Sequence, residues 1–171
     1  HVAADPRPSG GSLFRIHRDT RFSKDKSPYK THAAAQFRHR AGKDVHAPGF
    51  YLHLQPGQVF AGAGIWHPDP PTLAAIRKAL LTRGAYWRKA VSGEKFRKEC
   101  ALEGDILARP PRGFPPEHPM IEDIKRKDFL AVAHWSEKDA LSPGFIDQMA
   151  RFCQTTAPLM RFLASALKLD F

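Results

Sequence analysis

Six cations and two carboxylates fall within residues 15–30: Arg15, Arg18, Arg21, Lys24, Lys26 and Lys30 against Asp19 and Asp25, with His17 and Tyr29 among them. Guanidinium forks match the oxygens of a phosphate or a carboxylate. Holding such oxygens is binding when the ligand stays intact. It is catalysis when the held charge grows in a transition state. In the second case Asp19, Asp25, His17 or Tyr29 are the acid and base candidates. The same residue types also build a salt-bridge network that only pins a turn. Charge balance favours the anion site, because two aspartates cannot neutralise six cations in so short a stretch. Like charges gathered that closely repel unless they spread into water or share a counterion.

The elements on either side must position these groups. Leu13, Phe14 and Ile16 read as a short strand, and Asp19 to Lys26 as a polar turn. Ser27-Pro28 reads as a helix start, with serine at the cap, proline in the first turn and a helix running through Ala33-Ala34-Ala35-Gln36-Phe37. On that reading the free amides of the helix start add positive charge of their own. Arg18, Arg21 and Lys26 are then expected to converge on one anion-sized space, with Arg15, Asp19, Asp25 and Tyr29 around it.

Arg15, Arg18, Asp19, Arg21, Phe22, Asp25, Lys26 and Tyr29 fit the pattern R-x-x-R-D-x-R-F followed by D/N-K-x-x-Y at every fixed position. In this the chain resembles the bacterial and fungal domain of unknown function 2461 family. The resemblance continues through the stretch Phe50–Trp66, with its Pro56-Gly57 turn and its Gly62-x-Gly64-x-Trp66 run. It also takes in Arg77 and the Arg109-Pro-Pro-Arg-Gly-Phe-Pro and His118-Pro119 stretch. It implies a fold but no activity, since the family has none established. Family members usually carry a helical segment ahead of the motif. That segment is missing here and residue 1 is histidine, so a chain that begins inside a longer one, or after a removed segment, is expected.

The 171 residues are read as one domain. Residues 1–12 form a flexible lead-in and 109–119, with five prolines, an extended connector that could serve as a lid or rim. The excess of 27 Lys and Arg over 17 Asp and Glu leaves a net charge of +10. Such a field favours anionic partners, either small molecules or nucleic acid. No apolar run is long enough to span a membrane, and no membrane partner is expected. Cys100 and Cys153 stand far apart without C-x-x-C spacing. Free thiols and a cytoplasmic, reducing setting follow.

Further along, Phe50–Leu54 and Val59–Trp66 read as a hairpin around a type II turn at Gln55-Pro56-Gly57-Gln58. Phe60, Gly62, Gly64 and Trp66 share one face of it. Glycines inside a strand mark a close approach; a packed group is preferred to a ligand here. His67–Pro71 is a rigid corner, and Thr72 onward is helical. Arg77 lies on the apolar face with Leu73, Ile76, Leu80 and Leu81. It must find a partner or snorkel, which makes it an outlying site candidate. A short helix is expected from Ser92-Gly93-Glu94, a helical turn at Ile121–Ile124, a basic cluster at Lys125–Asp128 and a strand at Phe129–Trp135. Ser142-Pro143 reads as the start of a helix with Phe145, Ile146, Met149, Phe152 and Cys153 on one face. Pro158 is expected to kink that helix or start another. A hairpin without regular strand–helix alternation gives an α+β fold, an antiparallel sheet packed with helices.

Phosphate-loop, dinucleotide-fold, zinc-protease and serine-hydrolase motifs do not occur. No histidine pair among His32, His39, His46 and His53 has the i, i+4 spacing of a helical metal site; His17 and His53, both read as strand residues, are placed to face one site with Asp19. Neither a metal nor a cofactor is expected. Three readings remain: a binding module for a phosphate-bearing ligand, an enzyme acting on a phosphoryl or carboxyl group at the same cluster, and a nucleic-acid binder. The last would use the whole basic surface and stack bases on Tyr29, Tyr51 or Trp66.

Overall fold

The computed structural model describes residues 2–7, 10–40 and 47–171. Residues 41–46, with His46, which the sequence alone reads as part of a loop over 41–49, lie outside them. Eleven elements follow in chain order: β1 (Val2–Ala3), β2 (Ala33–His39), β3 (Gly49–Gln55), β4 (Gln58–Ile65), α1 (Pro70–Val91), α2 (Glu94–Glu99), β5 (Ala101–Glu103), α3 (Ile121–Ile124), β6 (Phe129–Trp135), α4 (Glu137–Ala140) and α5 (Phe145–Ala166). The strands form one sheet in the order β1-β2-β3-β4-β6-β5. Every neighbouring pair is antiparallel. The fold is α+β.

The hairpin forms as read. Gln55 pairs with Gln58 across the turn, and Gly57 takes the positive φ of 76° that a type II turn needs. Asp69 caps α1 by accepting from the Thr72 amide at 2.9 Å, with prolines in the first turn. One face of the sheet and the facing stripes of α1 and α5 make the core. Ala61, Ala63 and Ala131 are completely buried there, with Ile76, Leu80, Trp87, Phe152, Leu159 and Leu163 opposite. Trp87 meets Phe129 and Phe162 edge-on at 5.6 and 5.3 Å.

Several local readings need correction. Residues 28–37 are not a helix. Pro28 accepts from the Arg18 amide at 2.9 Å, the Lys30 amide donates to Ile16 at 2.8 Å, and Ala33 onward is the β2 strand. The segment 12–18 lies antiparallel to 28–36, so the motif is the tip of an extended arm. Alanine favours helix intrinsically, but pairing with β3 and burial of Ala34 and Ala35 decide the outcome. Val2 and Ala3 of the expected lead-in pair with His39 and Arg38. α5 begins at Phe145 behind Gly144 rather than at Ser142, and it continues through Pro158. Ile146, expected on its apolar face, is exposed.

Cys100 and Cys153 are free. Burial pushes the Cys100 thiol up to about 12, with the Glu99 charge adding to it, and pushes Cys153 up to about 11. The thiolate is the reactive form. Both thiols should therefore react with a disulfide reagent at pH 8 far more slowly in the native protein than in urea, where two equivalents label. Fast labelling of native protein at either position would contradict this.

Candidate functional site

The arm tip is knitted by its own charges. Asp19 accepts from Arg21 Nε at 2.9 Å and Nη2 at 2.6 Å, and from the Arg21 amide. Asp25 holds Arg18 through Nη1 and accepts from the Ser27 amide at 2.9 Å, while Arg18 Nη1 also reaches Ser27 Oγ at 3.0 Å. Lys26 Nζ donates to the Thr20 carbonyl at 2.8 Å. The Arg21 guanidinium holds the Asp19 carboxyl below the usual carboxylate range. Asp25 is lowered too, chiefly by the Ser27 amide and hydroxyl and then by Arg18. Arg15 is exposed, and its charge also lowers Asp19. Tyr29 lies beside His17, with ring centroids 5.4 Å apart.

Without a helix at Pro28, no helical amides supplement the cluster. Arg18, Arg21 and Lys26 each turn to a separate partner within the arm. Arg18 keeps Nε and Nη2 free of any described residue. It borders a shallow depression of about 410 Å³ with Asp19, Lys30, Thr31 and His32. Arg77 is elsewhere. It is buried, and it donates from Nε to the Ile124 carbonyl at 2.8 Å and from Nη2 to that of Arg126 at 3.1 Å. These bonds tie α1 to the last residue of α3 and to the segment after it.

The larger concavity is on the sheet face away from the core, a groove of about 780 Å³ that no helix residue lines. Alternation along the strands fixes its floor. In one cross-strand row His53 stands opposite Phe60, and Phe60 opposite His134. The His32 ring stacks on His53 at 4.6 Å, and His53 on Phe60 at 4.8 Å. In the next row come Gln36, Tyr51, Gly62 and Val132. Tyr51 Oη lies 3.1 Å from His53 Nδ1, and burial raises the Tyr51 pKa. Burial lowers the His32 pKa, with His53 and Lys30 adding to it. His17 is on the arm and His53 in the floor, so they do not share a site with Asp19 as expected. Among the described residues no group of three or more metal-ligating side chains gathers.

The two strand glycines differ. A Cβ at Gly64, where φ is 136°, would lie 1.9 Å from the Phe129 carbonyl oxygen, so backbone packing demands glycine there. A Cβ at Gly62 meets nothing within 4 Å and would point into the groove. Lys30 lies over the Phe14 ring at 5.4 Å on one flank. Trp66 and His67 close the other end.

The rigid corner expected at His67–Pro71 lies at that end, and the structure adds a partner for it that the sequence did not point to. His67 has φ of 48°, and its amide and Nδ1 reach Asp128 Oδ1 at 2.8 and 3.0 Å. Asp128 Oδ2 accepts from the Asp105 amide at 3.0 Å. Gly104 leaves the room, since a Cβ there would fall 2.5 Å from Asp128 Cβ. Asp128 is 2% exposed. Burial pushes its carboxyl up, but the His67 and Asp105 amides and the His67 ring together bring it below the usual carboxylate range. The only sequence signal was an aspartate ending a basic run just before a strand.

The depressed pKa gives Asp128 a signed pH dependence. Its contribution is full above the unfolded carboxyl value, about 3.9, and is lost as pH falls through the lower folded value. In urea unfolding, Asp128→Asn should cost about 1–3 kcal/mol at pH 7, and the gap should narrow at pH 3. An equal gap at both pH values would contradict the ionised, hydrogen-bonded carboxylate.

No curated protein and no solved structure matches the chain. A family model does, over residues 1–162, and its description is a conserved hypothetical protein, DUF2461. With nearly the whole chain matched, from the arm and its motif through most of α5, the protein belongs to the DUF2461 family.

Proposed function

We propose that the protein binds an anionic organic ligand, with the charged end at Arg18 and Lys30 and the apolar or aromatic part in the sheet groove. One observation carries this reading: Lys30 and His32 line both the depression beside Arg18 and the groove, so the two spaces adjoin at those side chains. A carboxylate or phosphate at Arg18 finds the two free guanidinium nitrogens and the Lys30 ammonium. The floor offers His53, Phe60 and Tyr51 rings for stacking, with the open space over Gly62 between them and Trp66. On this reading Arg21, Lys26, Asp19 and Asp25 act by holding the arm tip in shape, with Arg15 and Tyr29 beside it.

A second reading has a specific observation behind it. The row of stacked rings together with the net charge of +10 suits a single-stranded nucleic acid. The two differ in salt response, because each phosphate neutralised along a strand steepens the loss of affinity with salt.

Titration calorimetry with pyrophosphate and with adenosine monophosphate separates these outcomes. Arg18→Ala and Lys30→Ala should each weaken both ligands by about 1.5–3 kcal/mol, the size of a charge-assisted hydrogen bond. Arg77→Ala should lower the melting temperature and leave affinity unchanged. Gly62→Leu should keep the fold, since its side chain enters open space, and should weaken adenosine monophosphate but not pyrophosphate. Equal binding by wild type and the Arg18 and Lys30 variants would reject the site. So would binding that disappears in all of them at modest salt. Inorganic sulfate keeps its charge between pH 7 and 5. Its binding should tighten only as the pH falls below the ordinary histidine value, about 6.5, because burial delays the protonation of His32 to lower pH.

A further inference from the structure

We infer that His67 and Asp128 form a proton-transfer dyad at the Trp66 end of the groove, suited to hydrolysis of an acyl ester bound there. The placement rests on the groove being a ligand site; the dyad itself needs no anion at Arg18. Asp128 is ionised, so the 3.0 Å contact requires the proton on His67 Nδ1. In the neutral ring Nε2 then carries the lone pair, on a side chain 63% exposed that lines the groove. The ring is fixed from three sides. Its own amide is tied to the same carboxylate oxygen at 2.8 Å, and Trp66 stacks on it at 4.3 Å. The backbone is held at φ of 48°, an uncommon conformation for a residue with a side chain. A buried carboxylate that receives two backbone amides and one imidazole is a positioning group for that imidazole, as in other carboxylate–histidine pairs.

The chemistry balances without a further reactant. Nε2 takes a proton from water while the water oxygen bonds to the ester carbonyl carbon. The imidazolium is steadied by Asp128. It returns the proton to the alcohol oxygen as the carbon–oxygen ester bond breaks, giving acid and alcohol, with nothing oxidised or reduced. Phe60 and Trp66 are six residues apart on one extended segment, roughly 20 Å at about 3.3 Å per residue. The ester therefore lies far from the Lys30 end, and the leaving group is not the anchored anion.

Two measurements test this. Nitrogen-15 spectra of the histidine side chains should show His67 of the wild type as the Nδ1-protonated tautomer. Asp128→Asn should lose that preference. The wild type should also release p-nitrophenol from p-nitrophenyl acetate at least tenfold faster than His67→Gln, with Asp128→Asn falling towards the latter. A wild-type His67 protonated at Nε2, or equal release rates by wild type and His67→Gln, would overturn the dyad. If Asp128→Asn fails to fold, the wild-type tautomer and the His67→Gln rate still decide. The probe carries no anionic group, so a failed pyrophosphate titration would leave this rate standing. Equal ester rates would likewise leave the titration standing.

Discussion

The pleat of β4 and β6 imposes the constraint on which both the core and the groove depend. Ala61, Ala63, Ala131 and Ala133 are all at most 2% exposed. Their small side chains let α5 approach the centre of the sheet. Burying that set sends the alternate positions Phe60, Gly62, Gly64, Val132 and His134 to the other face. A slip of one residue in either strand would exchange the two sets and leave rings and a histidine under the helices. The groove's contents are therefore fixed by the packing on the opposite side. Its depth comes from glycine at 62, where no neighbour forbids a side chain.

The arm and the corner place charge at opposite ends of that groove by different means. In the arm, aspartates two or more residues away hold arginines at an exposed tip, and such exposed pairs contribute little stability. Their effect is to direct Arg18 and to leave Lys30 beside His32. At the corner, a single buried carboxylate gathers two amides and an imidazole from segments far apart in sequence. Removing it would strand those donors, so the corner is rigid where the arm is only tied.

The hairpin, the apolar stripe of α1 and most of that of α5 were legible, because turn chemistry and helical spacing are local; the two caps read at Ser27 and Ser142 were not borne out. The stretch 28–37 was misread because Ser-Pro followed by three alanines is a strong local helix signal. The opposing pull, pairing with β3, comes from residues 50–54. Once it is read as a strand, Ala34, Gln36 and Arg38 alternate onto the groove face, and the arm becomes its wall. The cation cluster was visible as composition, but its pairing with Asp19 and Asp25 depends on side-chain direction. Arg77 was read as an arginine that must find a partner or snorkel and hence as an outlying site candidate; its partners are two backbone carbonyls nearly fifty residues away. The His67–Asp128 contact, across 61 residues, left no periodic or motif signal at all.

The central claim is that one ligand occupies the depression at Arg18 and the groove at Gly62 together. Amide shift mapping of the nitrogen-15-labelled protein with adenosine monophosphate, beside inorganic phosphate at equal ionic strength, addresses it most directly. The account predicts that phosphate moves only Arg18, Lys30 and their neighbours, whereas the nucleotide also moves Tyr51, Gly62 and Phe60. Shifts scattered over the basic surface with both ligands, or nucleotide shifts that never reach Gly62, would contradict it.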